Sequence, residues 1–315
     1  MKSTHNNFEL RAKSQLFSDH VFMGRKGEQR IGDFLTGDSQ IQQFAILGIS
    51  EAIGPFANYG RTGAEHAFSS FFRHFVAWPY QNQSVSIIGN VRFVGVFPED
   101  AAEASRLVEE LDAFVYAILQ SSVSGNQIPI IIGGGHNNAL PLMRWAKENK
   151  KMETVINFDA HTDCRTTNRR HSGNSFSCAL EENTLKTYVA FGIQSYGLTS
   201  AMRETLTQFH AQLFTYESYL LGAFDLINEV KNVINTSRGN PGLEIDMDCI
   251  AYMPSSASSP SGFSLDEIRK VLLSINPKEM AYLHLTEAAV IEASNERIVG
   301  RALAHLCLDF IRPME

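Results

Sequence analysis

Cysteine is scarce in this chain and nowhere paired. Cys164, Cys178, Cys249 and Cys307 form no CxxC motif, and scattered cysteines in a chain of this size are expected as reduced, small buried filler. Lysine and arginine gather in no stripe and the net charge is −7, which argues against a nucleic-acid partner. No apolar run approaches the roughly 18–20 residues of a membrane span. The opening MKSTHNNFEL has no apolar signal core, so a cytoplasmic protein without a membrane partner is expected. A Pro/Gly/Ser-rich linker, an internal repeat and any low-complexity segment are also missing. What remains is a 315-residue chain with 44% apolar and 19% charged residues, enough for a substantial core. The polar residues 1–40, with Gly-Arg-Lys-Gly at 24–27, read as an N-terminal extension with little core of its own, and 41–315 as a single domain.

Short apolar runs recur along that domain. Gln43–Ser50, Val91–Phe97, Ile128–Ile132, Val155–Phe158, Tyr188–Ile193, Leu213–Tyr216, Leu243–Ile245 and Ala281–Leu285 are strand candidates. Between them lie helical patterns. Ala64 to Phe75 carries Phe68, Phe71, Phe72 and Phe75 on one face, a core stripe. Pro98-Glu99-Asp100 opens a helix to about Gln120, and its acidic start suits the helix dipole. Ser264 to Glu267 is a capping box for a helix to about Ile275, and a last helix covers roughly Asn295 to Ile311. The glycines, proline and asparagine of EAIGPFANYGRTG (51–63) predict a loop. Alternating strands and helices predict an α/β fold: a mostly parallel sheet covered on both faces, with its site beyond the carboxyl ends of the strands.

Three motifs lie at such ends: Gly133-Gly134-Gly135-His136, Asp159-Ala160-His161-Thr162-Asp163 and Asp246-Met247-Asp248. Asp159, His161 and Asp163 share a face of an extended strand end, as do Asp246 and Asp248. Two imidazoles and four carboxylates are a ligand set for two divalent ions, and so much oxygen favours Mn²⁺ over Zn²⁺. Two ions at about 3.5–4 Å can make a water nucleophilic at neutral pH.

GGGH, NFDAHTD and EIDMD, in this order, resemble the arginase/agmatinase/formimidoylglutamase ureohydrolase superfamily, over about residues 43 to 310. The resemblance implies a three-layer α/β/α fold with a mainly parallel eight-stranded sheet and a binuclear manganese centre, two Mn²⁺ per subunit. One ion would be held by His136, Asp159, Asp163 and Asp246 and the other by Asp159, His161, Asp246 and Asp248, with Asp159 and Asp246 bridging. An activated water would attack the planar carbon of an amidino or formimidoyl group. Asp163 would relay a proton to the departing nitrogen, and Glu287 in LTEAA would face the substrate's cationic C–N unit. The resemblance also implies a small-molecule substrate and a homo-oligomer.

Four features point to the formimidoylglutamase branch, hence to N-formimidoyl-L-glutamate, L-glutamate and formamide, and to histidine metabolism. They are GGGH, the loop Asn58-x-Gly60-Arg61-x-Gly63-Ala64, Arg165 in DAHxDxR, and Ser172-Gly173-Asn174-Ser175-Phe176. Arg61 and Arg165 are candidate grips for two substrate carboxylates, with Ser172 and Asn174 as further substrate contacts. Arginases carry a proton-shuttling histidine where this chain has Phe176; His171, just before SGN, is the candidate catalytic imidazole left. After EIDMD the chain lacks the third aspartate and the PGTG-like turn of arginases, which counts against arginine. Arginase, agmatinase or another guanidino hydrolase stays open, as do a deacetylase-like single-zinc hydrolase and a silent metal-bound binding protein.

Overall fold

Nearly every apolar run of the sequence becomes a strand of one sheet. In the computed structural model, which describes residues 6–19, 27–36 and 42–313, the strands are β1 (Phe8–Ala12), β2 (Phe44–Ser50), β3 (Val85–Phe93), β4 (Ile128–Ile132), β5 (Thr154–Phe158), β6 (Thr187–Ile193), β7 (Gln212–Thr215), β8 (Gly242–Asp246) and β9 (Tyr282–Thr286). Residues 1–5 and the Gly-Arg-Lys at 24–26 lie outside the described residues. The strand order is β1-β3-β2-β4-β9-β8-β5-β6-β7. Every pairing from β2 to β9 is parallel. These eight strands are the expected mainly parallel sheet, and β1 adds a ninth, antiparallel against β3. The stretch 1–40 thus supplies an edge strand, and its Phe8, Ile31 and Leu35 are fully buried.

Helices cover both faces. Ile130 and Ile132 of β4 point into one apolar layer and Ile131 into the other, the signature of a strand buried on both sides. The first layer is closed by the helices Ala67–Phe75, Leu226–Thr236, Leu265–Ser274 and Glu296–Ile311, and Phe68, Phe71, Phe72 and Phe75 are all inside it. The second is closed by Ala101–Ser122, Ala139–Lys150, Ser175–Glu181 and Ser200–Gln208. Asp100 caps the first helix of this layer by accepting from the Ala102 and Glu103 amides, and Ser264 and Glu267 form their capping box as the sequence predicts.

Two expectations need correction. The stretch 51–63 contains a buried helical turn, Ile53–Ala57. Glu51 makes it possible, because its carboxylate accepts from the Ile53 and Gly54 amides at 2.7 and 3.0 Å, and Pro55 sits in the first turn, where it is tolerated. The third strand runs over Val85–Phe93, not Val91–Phe97. Its serine, glycine and asparagine obscure the pattern, and Gly89 pairs with Ala12 of β1, where a Cβ would run into the Arg11 carbonyl. Beyond it Val96 is 89% exposed.

Candidate metal centre

The strands carrying the motifs are adjacent in the sheet: β4, β9, β8, β5. Their carboxyl ends therefore open at one place. After β4, Gly133 and Gly134 take positive φ of 87° and 71°, a turn that glycine makes without strain. Glu51 fastens the turn, accepting from the Gly135 amide at 2.8 Å and from Asn138 Nδ2 at 2.7 Å. His136 follows, fully buried. Asp159 follows β5, and Asn157 Nδ2 donates to its Oδ2 at 3.1 Å. Asp163 and Glu287 stand in left-handed backbone, φ 45° and 61°, a conformation that costs about 1 kcal/mol or more for a residue with a Cβ. Two carboxylates of the same cavity are thus held in strained positions.

The ligand atoms form two overlapping sets. His136 Nδ1 lies 3.4 Å from Asp159 Oδ2, 2.9 Å from Asp163 Oδ2 and 3.3 Å from Asp246 Oδ2. His161 Nδ1 lies 2.8 Å from Asp248 Oδ2 and 3.7 Å from Asp159 Oδ1. Asp159 belongs to both sets, while Asp246 groups with the first; its other oxygen accepts from the Asp248 amide at 2.8 Å. Neighbouring oxygen or nitrogen ligands of a small divalent ion sit about 3 Å apart, close to these separations. His136 Nδ1 is buried and makes no hydrogen bond, although three carboxylates surround it. A cation between them satisfies all four groups, and the donor chemistry suits a hard divalent ion such as Mn²⁺.

Crowding shows in the proton affinities. Burial raises the carboxyls of Asp163, Asp246 and Asp248, and neighbouring carboxylates add to it. Burial acts the same way on Asp159, but the His136 and His161 rings outweigh it and hold that carboxyl below its ordinary range. Burial opposes charge on His136, yet Asp159, Asp163, Asp246 and Glu244 raise it well above an ordinary imidazole. Asp159 and Asp248 push His161 up to about 12. Without ions, protons hold the cluster together.

Behind the ligands is a second row to which the sequence reading gave no role. Glu244 of β8 and His284 and Tyr282 of β9 are fully buried, and His284 and Tyr282 each hydrogen-bond to Glu244. Burial opposes the Glu244 charge, but His284 and His136 hold its carboxyl down at about 2. The Phe176 ring stands edge-on to His136, centroids 5.1 Å apart. Tyr188 donates to the Thr162 carbonyl at 2.8 Å and pins the DAHTD loop.

In front lies a cavity bordered by His161, Asp163, Asp246, Asp248 and Glu287, together with Asn58, Arg165, Ser172 and Ser256. Glu287 accepts from the His136 amide at 2.8 Å and from Ser256 Oγ at 2.6 Å; burial pushes its carboxyl up to about 7. Ser256, within the segment that departs from arginases, is a contact the sequence did not single out. Of the expected substrate contacts, Arg165 and Ser172 reach this cavity and two do not. Arg61 is exposed and lies outside its lining. Asn174 is buried, accepts from Arg170 Nη1 at 2.7 Å, and donates to the Thr166 and Arg169 carbonyls; it ties the loop together. His171, expected as a catalytic group, borders a neighbouring cavity with Arg165 and Arg169. Its Nδ1 accepts from the Gly173 amide at 3.1 Å, and burial followed by the charges of Arg169, Arg170 and Arg165 lowers it to about 4. It stands as a neutral acceptor.

Known proteins resemble this chain. The arginase family model matches residues 44–312. The formimidoylglutamase of Geobacillus sp. (strain WCH70) is 26% identical over 274 residues, 84% of this chain and 82% of that protein. That of Macrococcus caseolyticus (strain JCSC5402) is 24% identical over 270 residues, covering 82% of each. Among solved structures, Trypanosoma cruzi formiminoglutamase with Mn²⁺ superposes with a TM-score of 0.71 at 21% identity, over 91% of this chain and all of that one. Bacillus subtilis formimidoylglutamase gives 0.73 at 18% identity, over 93% and 94%. At such identities the structural likeness is one of fold.

Proposed function

The chain belongs to the arginase family, and from that premise we propose that it is a binuclear manganese hydrolase that converts N-formimidoyl-L-glutamate and water to L-glutamate and formamide. The observation that carries this reading is the convergence of His136, His161, Asp159, Asp163, Asp246 and Asp248 into two overlapping ligand sets beside one cavity. His136, Asp159, Asp163 and Asp246 would hold one Mn²⁺, and Asp159, His161 and Asp248 the other. When bound, such a pair supplies a water nucleophile at neutral pH and offsets the charge that builds up on the substrate.

The protein's own groups do the rest. Glu287 lies across the cavity and opposes the cationic C–N unit; an arriving cation draws its raised carboxyl back toward ionisation. Ser256 donates to Glu287 and fixes its direction. Water oxygen bonds to the formimidoyl carbon, the bond from that carbon to the glutamate nitrogen breaks, and a proton must reach the leaving nitrogen. Asp163 borders the cavity and can take the proton from the water and pass it on. Arg165 and Ser172 border the cavity and would receive the carboxylates of the substrate's tail. GGGH, DAHxDxR and the names of the similar curated proteins support formimidoylglutamate over arginine. The four free cysteines support a reducing compartment, the cytoplasm. The test is a panel of N-formimidoylglutamate, arginine, agmatine and guanidinobutyrate with manganese. Formamide from the first, without ammonia, is expected. Urea from any other would replace this assignment, and manganese binding without turnover on all four would leave a binding protein.

A further inference from the structure

The interior of a strand covered on both faces normally takes apolar side chains, and Leu243, Ile245, Leu283 and Leu285 follow that rule at 0–1% exposure. Glu244 and His284 break it side by side, as cross-strand partners of β8 and β9. An isolated carboxylate at such depth is costly. Here it is fully engaged: His284 Nδ1 donates to Glu244 Oε2 at 2.6 Å and the Tyr282 hydroxyl donates to Oε1 at 2.7 Å. Glu244 Oε2 also lies 3.4 Å from His136 Nε2. That is the ring nitrogen opposite the one that faces the aspartates.

Two roles are open to this group. His136, Glu244 and His284 are close enough together to hold a further cation, or they support the centre without binding one. The distances favour support. A separation of 2.6 Å is that of a hydrogen bond, tighter than the roughly 3 Å between neighbouring ligands of an ion, and Tyr282 takes the carboxylate's other oxygen. A ring with one nitrogen toward an ion needs an acceptor for the N–H of the other; His136 Nε2 is buried without a hydrogen-bond partner, and Glu244 Oε2, 3.4 Å away, is the carboxylate beside it.

We propose that Glu244, braced by His284 and Tyr282, is a positioning residue that receives the Nε2–H of His136 and so keeps His136 Nδ1 turned toward the first ion. This inference rests on the two-ion reading of the centre. The test is a manganese titration followed by the EPR signal of free Mn²⁺, with ions per chain counted by mass spectrometry. Glu244→Gln should weaken one of the two sites by about 10–100-fold. His284→Asn, which keeps a donor near the Nδ1 position, should hold manganese as the parent does. His284→Leu, which has no donor, should lose affinity as Glu244→Gln does. Unchanged manganese affinity in Glu244→Gln, equal behaviour of the two His284 variants, or three ions per parent chain would each overturn the proposal. If Glu244→Gln fails to fold, the His284 pair decides. A parent chain that takes up no manganese would instead remove the two-ion reading itself.

Discussion

Asp159 is the side chain on which the centre turns. It is the one residue common to both ligand sets, and its two oxygens face different imidazoles. Asp159→Ala should therefore release nearly all bound manganese and abolish turnover, where loss of Asp248 would empty one set. Full metal content in that variant would show the ligand sets to be wrongly drawn. The proton affinities make a second claim. Imidazoles that Asp159 and its neighbours hold protonated, His161 up to about 12 and His136 well above the ordinary value, must give up those protons to bind ions. Manganese uptake should thus acidify a weakly buffered solution, and affinity should tighten steadily from about pH 6 to pH 8. A pH-independent affinity would contradict this. The ligands were legible because each stands at the end of an apolar run with fixed spacing. Glu244 and His284 were not, because inside EID and YLHLT they look like mere interruptions. Sequence order does not tell which loop side chains line a cavity, and Arg61, Asn174 and His171 are not among those that border this one.

At the scale of elements, helices announced themselves by apolar stripes and caps. The phenylalanine stripe of Ala67–Phe75 is entirely inside the first layer, where Phe71 stacks on Phe75 with ring centroids 4.9 Å apart. Phe71→Ala should cost about 3–5 kcal/mol of unfolding free energy, read from the urea midpoint at constant slope. A loss below about 1 kcal/mol would mean that the layer collapses around the gap. The turn Ile53–Ala57 was hidden for a physical reason. Its first donors are satisfied by Glu51, a residue that precedes it and also fastens the GGGH turn. Local propensity has no access to a bond shared between two segments 84 residues apart.

On the scale of the whole molecule, parallel layering was readable from alternation alone, but the strand order was not. Adjacency of β4, β9, β8 and β5 depends on crossovers that no local pattern encodes, and only that adjacency turns four distant strand ends into one centre. The same convergence places like charges together, so the ions should hold the fold as well as the chemistry. Chelation should lower the melting temperature, and added Mn²⁺ should restore it in proportion to the logarithm of its excess over Kd. Identical melting curves in both conditions would contradict this. The antiparallel β1 has a consequence of another kind. It occupies the open hydrogen-bonding flank of β3 with five paired positions, Phe8 to Ala12. Deleting residues 1–12 would leave that flank as a template for a second molecule, so the shortened protein should self-associate through it and scatter light at concentrations where the intact chain stays clear.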